Sequence, residues 1–167
     1  WRIKNFNKYD SIKLDYPICH INWYEAKAVA KWLGGRLPTE SEWEYVCTNG
    51  GTTKFPWGDK MIKENANLDY NKLESVNSFE QGNNKDGIKQ LIGNVWEWCE
   101  EPIYPYDGFK IDPVYREFSY PFFGFKKILR GGCWAVPHYL INSKYRNAQM
   151  PDMRFQFTGV RIAKNIS

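Results

Sequence analysis

Gly93-Asn94-Val95-Trp96-Glu97-Trp98 is the stretch on which the reading of this chain turns. Two indoles bracket one carboxylate, and large rings carrying a single N–H need both apolar contact and a hydrogen-bond acceptor, which a protein interior supplies. Further along stand Arg130-Gly131-Gly132-Cys133-Trp134 and Gly159-Val160-Arg161-Ile162-Ala163, two apolar segments punctuated by glycine and arginine. They read as strands, one around Ile128 to Trp134 and a final one over Thr158 to Ala163 whose alternation suits pairing with the first.

Upstream of this centre the signals are helical. Asn22 with Glu25 three residues on makes a capping box that opens a helix through about Leu33, stopped at Gly34-Gly35. Thr39 with Glu42 repeats the device for a second short helix through about Cys47, with Trp43 and Val46 facing inward. Residues 1–21 read as a strand and a loop, with Pro17 holding the residue before it extended. Residues 49–84, rich in Gly, Asn and Lys, and residues 99–127, dense in Tyr, Phe and Pro, read as long loops.

One domain fits 167 residues, a length that buries about two thirds of the surface its unfolded chain exposes. Aromatic residues make up 17% and there are eight tryptophans, which favours an irregular core of large plates. Lys and Arg total 23 against 19 Asp and Glu, and no basic run interleaves with aromatics, so nucleic acid is not an expected partner. No signal peptide, membrane-spanning run or lipidation motif is visible, and the expected setting is cytoplasmic, away from membranes. Cys19, Cys47, Cys99 and Cys133 are widely spaced with no CxxC pair; they read as buried reduced thiols, with a disulfide pair as the alternative.

The three central segments, together with Arg36-Leu37-Pro38-Thr39-Glu40-Ser41-Glu42-Trp43-Glu44 and Phe55-Pro56-Trp57-Gly58-Asp59, resemble the formylglycine-generating-enzyme/sulfatase-modifying-factor domain. The resemblance covers nearly the whole chain. It implies a C-type-lectin-like α+β fold with two short helices, small twisted antiparallel sheets and long irregular loops, filling residues 1–167 as a single domain. Because the chain starts at Trp1 and enters the domain almost at once, it is expected to be the C-terminal part of a longer protein.

Within that family, Pro17 to Lys31, Tyr104-Pro105-Tyr106-Asp107-Gly108-Phe109, Tyr115 to Phe123, Tyr145-Arg146-Asn147 and Phe155 to Arg161 look like the C-terminal domain of ergothioneine-type sulfoxide synthases. In those enzymes a non-heme iron, held by three histidines of an N-terminal helical-bundle domain, uses oxygen to join a thiol to a histidine betaine. The lectin-like domain supplies the other wall of the pocket. The resemblance implies that Tyr115 is the catalytic proton donor, a role suited to a phenol that is neutral near pH 7. It also implies that Asn147 helps hold the betaine. Where those enzymes read Arg-Asn-Trp-Asp, this chain has Arg146-Asn147-Ala148-Gln149. Ala148 removes an aromatic face for a trimethylammonium group and Gln149 a charge partner for an amine. Ala148 and Gln149 therefore join Asn147 as the substrate-binding positions, and the thiol is expected to be cysteine or gamma-glutamylcysteine.

Metals complete the expectations. A mixture of carboxylate, amide and carbonyl oxygens suits a hard cation. The resembled fold seats a structural calcium here, with ligands carried over to the side chains of Gln90 and Glu97 and the carbonyls of Gly93 and Val95; the alternative is a Glu97 that hydrogen-bonds buried backbone. The formylglycine-generating enzymes bind copper through two cysteines, but Val136 and Ile141 stand at those positions, so no copper is expected. His20 and His138 are the only histidines and read as structural, so the Fe(II) ligands are expected in a domain outside this chain. The alternative function is a non-catalytic C-type-lectin-like module that binds a ligand or a protein.

Overall fold

The computed structural model describes residues 2–5, 8–118 and 120–165; Trp1, Phe6, Asn7 and Ser119 of the segments quoted above lie outside the described residues. A hairpin of β1 (Arg2–Asn5) and β2 (Lys8–Ser11) precedes α1 (Trp23–Trp32) and α2 (Glu40–Cys47). A curled sheet follows, ordered β5 (Asn147–Gln149), β4 (Lys127–Arg130), β3 (Trp96–Pro102), β6 (Thr158–Gly159). The remaining backbone is loops and single 3-10 turns.

Both helices begin as their sequences dictate. The Asn22 side chain accepts from the Glu25 N–H while Glu25 accepts from the Asn22 N–H, and Thr39 and Glu42 exchange the same pair of bonds. Each box satisfies two of the four amides that a helix N-terminus leaves unpaired. Glu42 is also clasped by both terminal nitrogens of Arg36 at 2.7 Å. That guanidinium holds the Glu42 carboxyl down at about 2. A depressed folded-state pKa stabilises above the ordinary glutamate value of about 4.3 and ceases to do so as pH falls toward the depressed one. The stability gap between the parent and Glu42→Gln, read from urea midpoints, is therefore expected to shrink between pH 5 and pH 2.5; an unchanged gap would show that the pair contributes nothing.

At its start β3 is a central strand covered on both sides, which is why Trp96-Glu97-Trp98-Cys99 is buried throughout instead of alternating. α2 packs on β3 and β4, placing the Trp43 indole N–H 2.7 Å from Glu97. Trp98 donates to the carbonyl of Ile21, and Trp23 to that of Cys99, each at 2.9 Å. The tryptophans thus build the core and tie distant chain segments through their one polar atom.

Three expectations change here. β6 is two residues long and pairs with β3, in parallel, not with the strand at Ile128; Ala163 instead bridges Arg36. The sheet is accordingly mixed, not purely antiparallel. β4 stops at Arg130 because Gly131 and Gly132 take φ of +91° and +81°, and a Cβ on Gly131 would lie 2.8 Å from the carbonyl oxygen of Leu91. The expected strand through Trp134 is therefore cut short. Within 99–127, Cys99 to Pro102 continue β3, and residues 147–149 form β5, which pairs with β4 at Lys127↔Gln149.

Candidate functional site

β5 forms one wall of a cleft of about 710 Å³. Asn147, Ala148 and Gln149 line that wall; Pro105 to Phe109 form the second, and Phe122, Phe123 and Lys126 the third. Antiparallel pairing with β4 fixes β5, and the Ile103 N–H to Lys126 carbonyl bond ties the second wall to the third. Phe109 and Phe123 meet edge to face with centroids 5.5 Å apart. The Tyr106 hydroxyl is pushed above its ordinary pKa, first by partial desolvation and then by Glu40 nearby, although the residue as a whole is exposed.

Behind the cleft, Arg146 reaches Glu40 through Nε at 2.7 Å and Nη2 at 2.8 Å, and it donates to the Tyr104 carbonyl. Its guanidinium lies 4.2 Å from the Tyr106 ring centroid. Glu40 also receives Arg130, a fully buried guanidinium that donates to Glu44 and to the carbonyls of Ser143 and Lys144. Arg130 and Arg146 thus fix the chain segment that delivers β5, as rigid forks suited to carboxylate and carbonyl oxygens.

Gln90 and Glu97 belong to a different part of the molecule. Both Glu97 oxygens are bonded by Arg161, at 2.7 and 2.8 Å, and one also accepts from Trp43. The Gln90 amide oxygen accepts from Asn94, and its amide nitrogen donates to the carbonyls of Ser75 and Ser78. Asn94 in turn pairs with both backbone groups of Glu74. These side chains order the 49–84 region by replacing the backbone ladder it lacks.

All four thiols are free. Burial pushes Cys19 and Cys47 up to about 12, Cys133 up to about 11, and Cys99 well above the usual thiol value. They are held protonated, which suits packing and disfavours nucleophilic or metal-binding chemistry.

A profile of the sulfatase-modifying factor enzyme 1-like domain matches residues 2–166. The chain belongs to that family. Over 96% of its length it is 38% identical to a protein of Mycobacterium tuberculosis named hercynine oxygenase, and over 90% it is 31% identical to a formylglycine-generating enzyme of Streptomyces coelicolor. It spans about 40% of the first and 53% of the second. PvdO from Pseudomonas aeruginosa shares the fold, with a TM-score of 0.70 at 24% identity over 95% of this chain and 66% of that one.

Family membership sets a test for each metal. Two of the four expected calcium donors are engaged by side chains: both carboxylate oxygens of Glu97 bond Arg161, and the Gln90 oxygen accepts from Asn94. The sequence-based alternative is also refined: Glu97 bonds two side chains, 54 and 64 residues away, and not backbone. At the copper positions, Ile141 is buried in the core against Gly132, and Val136 is packed at its margin. Among the described residues no three His, Cys, Asp or Glu side chains converge as metal ligands. His138 is committed through Nδ1 to Asp69, at 2.8 Å, and His20 packs on Phe157. No helix among the described residues is long and apolar enough to cross a membrane.

Of the sequence-derived site residues, Asn147, Ala148 and Gln149 lie together in the cleft. Tyr115 does not line it; it is 62% exposed, immediately before the 3-10 turn Arg116–Phe118. Sequence reasoning assigned no role to Tyr106, Asp107 or Lys126. The signal available for two of them was the Tyr104 to Phe109 run itself, whose likeness to relatives was visible but whose contact with β5 was not.

Proposed function

We propose that this chain is the substrate-pocket domain of a non-heme iron sulfoxide synthase, which joins a thiol to a histidine betaine in ergothioneine-like biosynthesis. The observation that carries the reading is the cleft at β5: it brings Asn147, Ala148 and Gln149 together with aromatic walls, in a chain 38% identical over nearly its whole length to a hercynine oxygenase. Aromatic faces suit a quaternary ammonium, and neutral amides orient a polar ligand without demanding a charge.

The reaction consumes one thiol S–H, one imidazole C–H and one dioxygen; it forms one C–S bond, one S=O bond and one water. Fe(II) supplies the oxygen chemistry, on ligands from an N-terminal helical bundle outside this chain. This chain's residues bind and orient, with Asn147 on the betaine and Tyr115 giving a proton. Since Tyr115 stands on the exposed 110–117 segment, the iron-bearing domain faces that segment.

The test is an aerobic assay of the longer native protein with Fe(II), histidine betaine and either cysteine or gamma-glutamylcysteine. Sulfoxide is expected, and Tyr115→Phe is expected to lower its formation about 100-fold or more while thiol oxidation continues. Iron-loaded, folded protein that gives no sulfoxide with either thiol would overturn the reading in favour of a ligand-binding or protein-binding module.

A further inference from the structure

The charges lining the cleft are not all available to a ligand. Arg146 is neutralised by the two-point contact with Glu40, and its remaining nitrogen is taken by the Tyr104 carbonyl. Lys126 is different: its ammonium lies 3.7 Å from the centroid of the Phe122 ring and forms no ion pair among the described residues. Asp107, at the tip of the turn on the second wall, likewise has no ion pair or side-chain hydrogen bond among the described residues. What remains between these two walls is neutral: Asn147, Ala148 and Gln149 on β5, and the crossed rings of Phe109 and Phe123.

One cation and one anion without ion pairs, on separate walls of a single cleft, complement a molecule with one charge of each sign. Lys126, a point charge on a flexible stem, suits a carboxylate. Asp107 suits a cationic nitrogen that carries N–H bonds, because a carboxylate gains most from a charge-assisted hydrogen bond; a trimethylated nitrogen offers none. Gln149 carries no charge to duplicate either role.

We propose that Lys126 and Asp107 are specificity-determining residues for the thiol substrate, with Lys126 taking the carboxylate and Asp107 the primary ammonium of a free α-amino acid head group. The assignment rests on the function proposed above and adds to it: the thiol must present an unblocked α-amino acid end, as both cysteine and gamma-glutamylcysteine do. The two contacts act independently, one on each charge.

Calorimetric binding of cysteine, cysteamine and N-acetylcysteine to the longer native protein without oxygen tests this, with Lys126→Met and Asp107→Asn beside the parent. Lys126→Met is expected to weaken cysteine about tenfold and leave cysteamine, which lacks the carboxylate, unchanged. Asp107→Asn is expected to weaken cysteine about tenfold and leave N-acetylcysteine, which lacks the ammonium, unchanged. Asp107 lies in a turn and Lys126 in the bend just before β4, and near-ultraviolet circular dichroism of the eight tryptophans checks that the variants keep the fold. Parent-like cysteine affinity in both variants, or equal weakening of all three ligands, would overturn the assignment. Sulfoxide formation by a parent protein whose two variants bind cysteine normally would sink this assignment alone, whereas a parent that makes no sulfoxide would remove the function beneath it.

Discussion

Glu97→Ala is expected to destabilise the protein by about 3–5 kcal/mol, the range for removing one partner of a buried ion pair. The carboxylate is 7% exposed, held by Arg161 from 64 residues further along and by the indole of Trp43 from α2. Its loss leaves the Trp43 N–H without an acceptor and the Arg161 guanidinium against the core with only the carbonyls of Lys89 and Gln90. Urea unfolding followed by tryptophan fluorescence measures the cost. A loss below about 1 kcal/mol would show that water reaches Arg161 and that the pair is a surface one. The same experiment bears on calcium: with Glu97 satisfied by Arg161, the parent's midpoint is expected to be equal with calcium and with a chelator, and a calcium-dependent rise would mean that the cation displaces the guanidinium.

Arg130→Met should cost a similar amount, about 3–5 kcal/mol, and should in addition loosen the cleft. Methionine keeps the apolar stem but frees two carboxylates, Glu40 and Glu44, and two carbonyls, Ser143 and Lys144, that the guanidinium joins. Glu40 retains Arg146, so the segment leading to β5 is held at one fork where the parent has two. Binding of a cleft ligand is therefore expected to weaken along with stability, and a variant that loses stability but binds normally would show that Arg146 alone positions β5.

The two losses should not add. Glu97 and Arg130 are directly opposite in the β3–β4 pairing, so their side chains leave the same face of the sheet. They do not pair with each other. Trp43 separates them, donating to Glu97 while its ring lies 5.1 Å from the Arg130 guanidinium. Removing either one shifts the indole that the other packs on, and the double variant is expected to be less destabilised than the sum.

Much of this architecture was legible in the order of residues, and the reason is range. The boxes at Asn22/Glu25 and Thr39/Glu42 close within three residues, so the identities at two positions determine the bonds, and both helices end within a residue or two of where glycines and caps place them. The Gly93 to Trp98 run needed only its own composition to read as interior, and every one of its six residues is buried. Arg130 and Arg161 stand near glycines in the sequence, and both donate to loop carbonyls. Pairings across the chain were not legible in the same way. β6 offers two residues of alternation, too few to choose between β3 and the Ile128 strand; the choice follows from β4 being flanked by β3 and β5.

The site divides along the same line. The sequence by itself determined the family, the interior role of Trp96 and Trp98, the absence of a thiol pair at the copper positions and the neutral Ala148-Gln149 variation on β5, whereas Trp32 is exposed. Only the tertiary structure decided that Glu97 answers to Arg161 and Trp43, that Arg146 is spent on Glu40, and that Asp107 and Lys126 line one cleft without an ion pair among the described residues. A charge is committed or free according to what packs against it, and those neighbours come from tens of residues away, where burial and geometry rather than spacing set the partner.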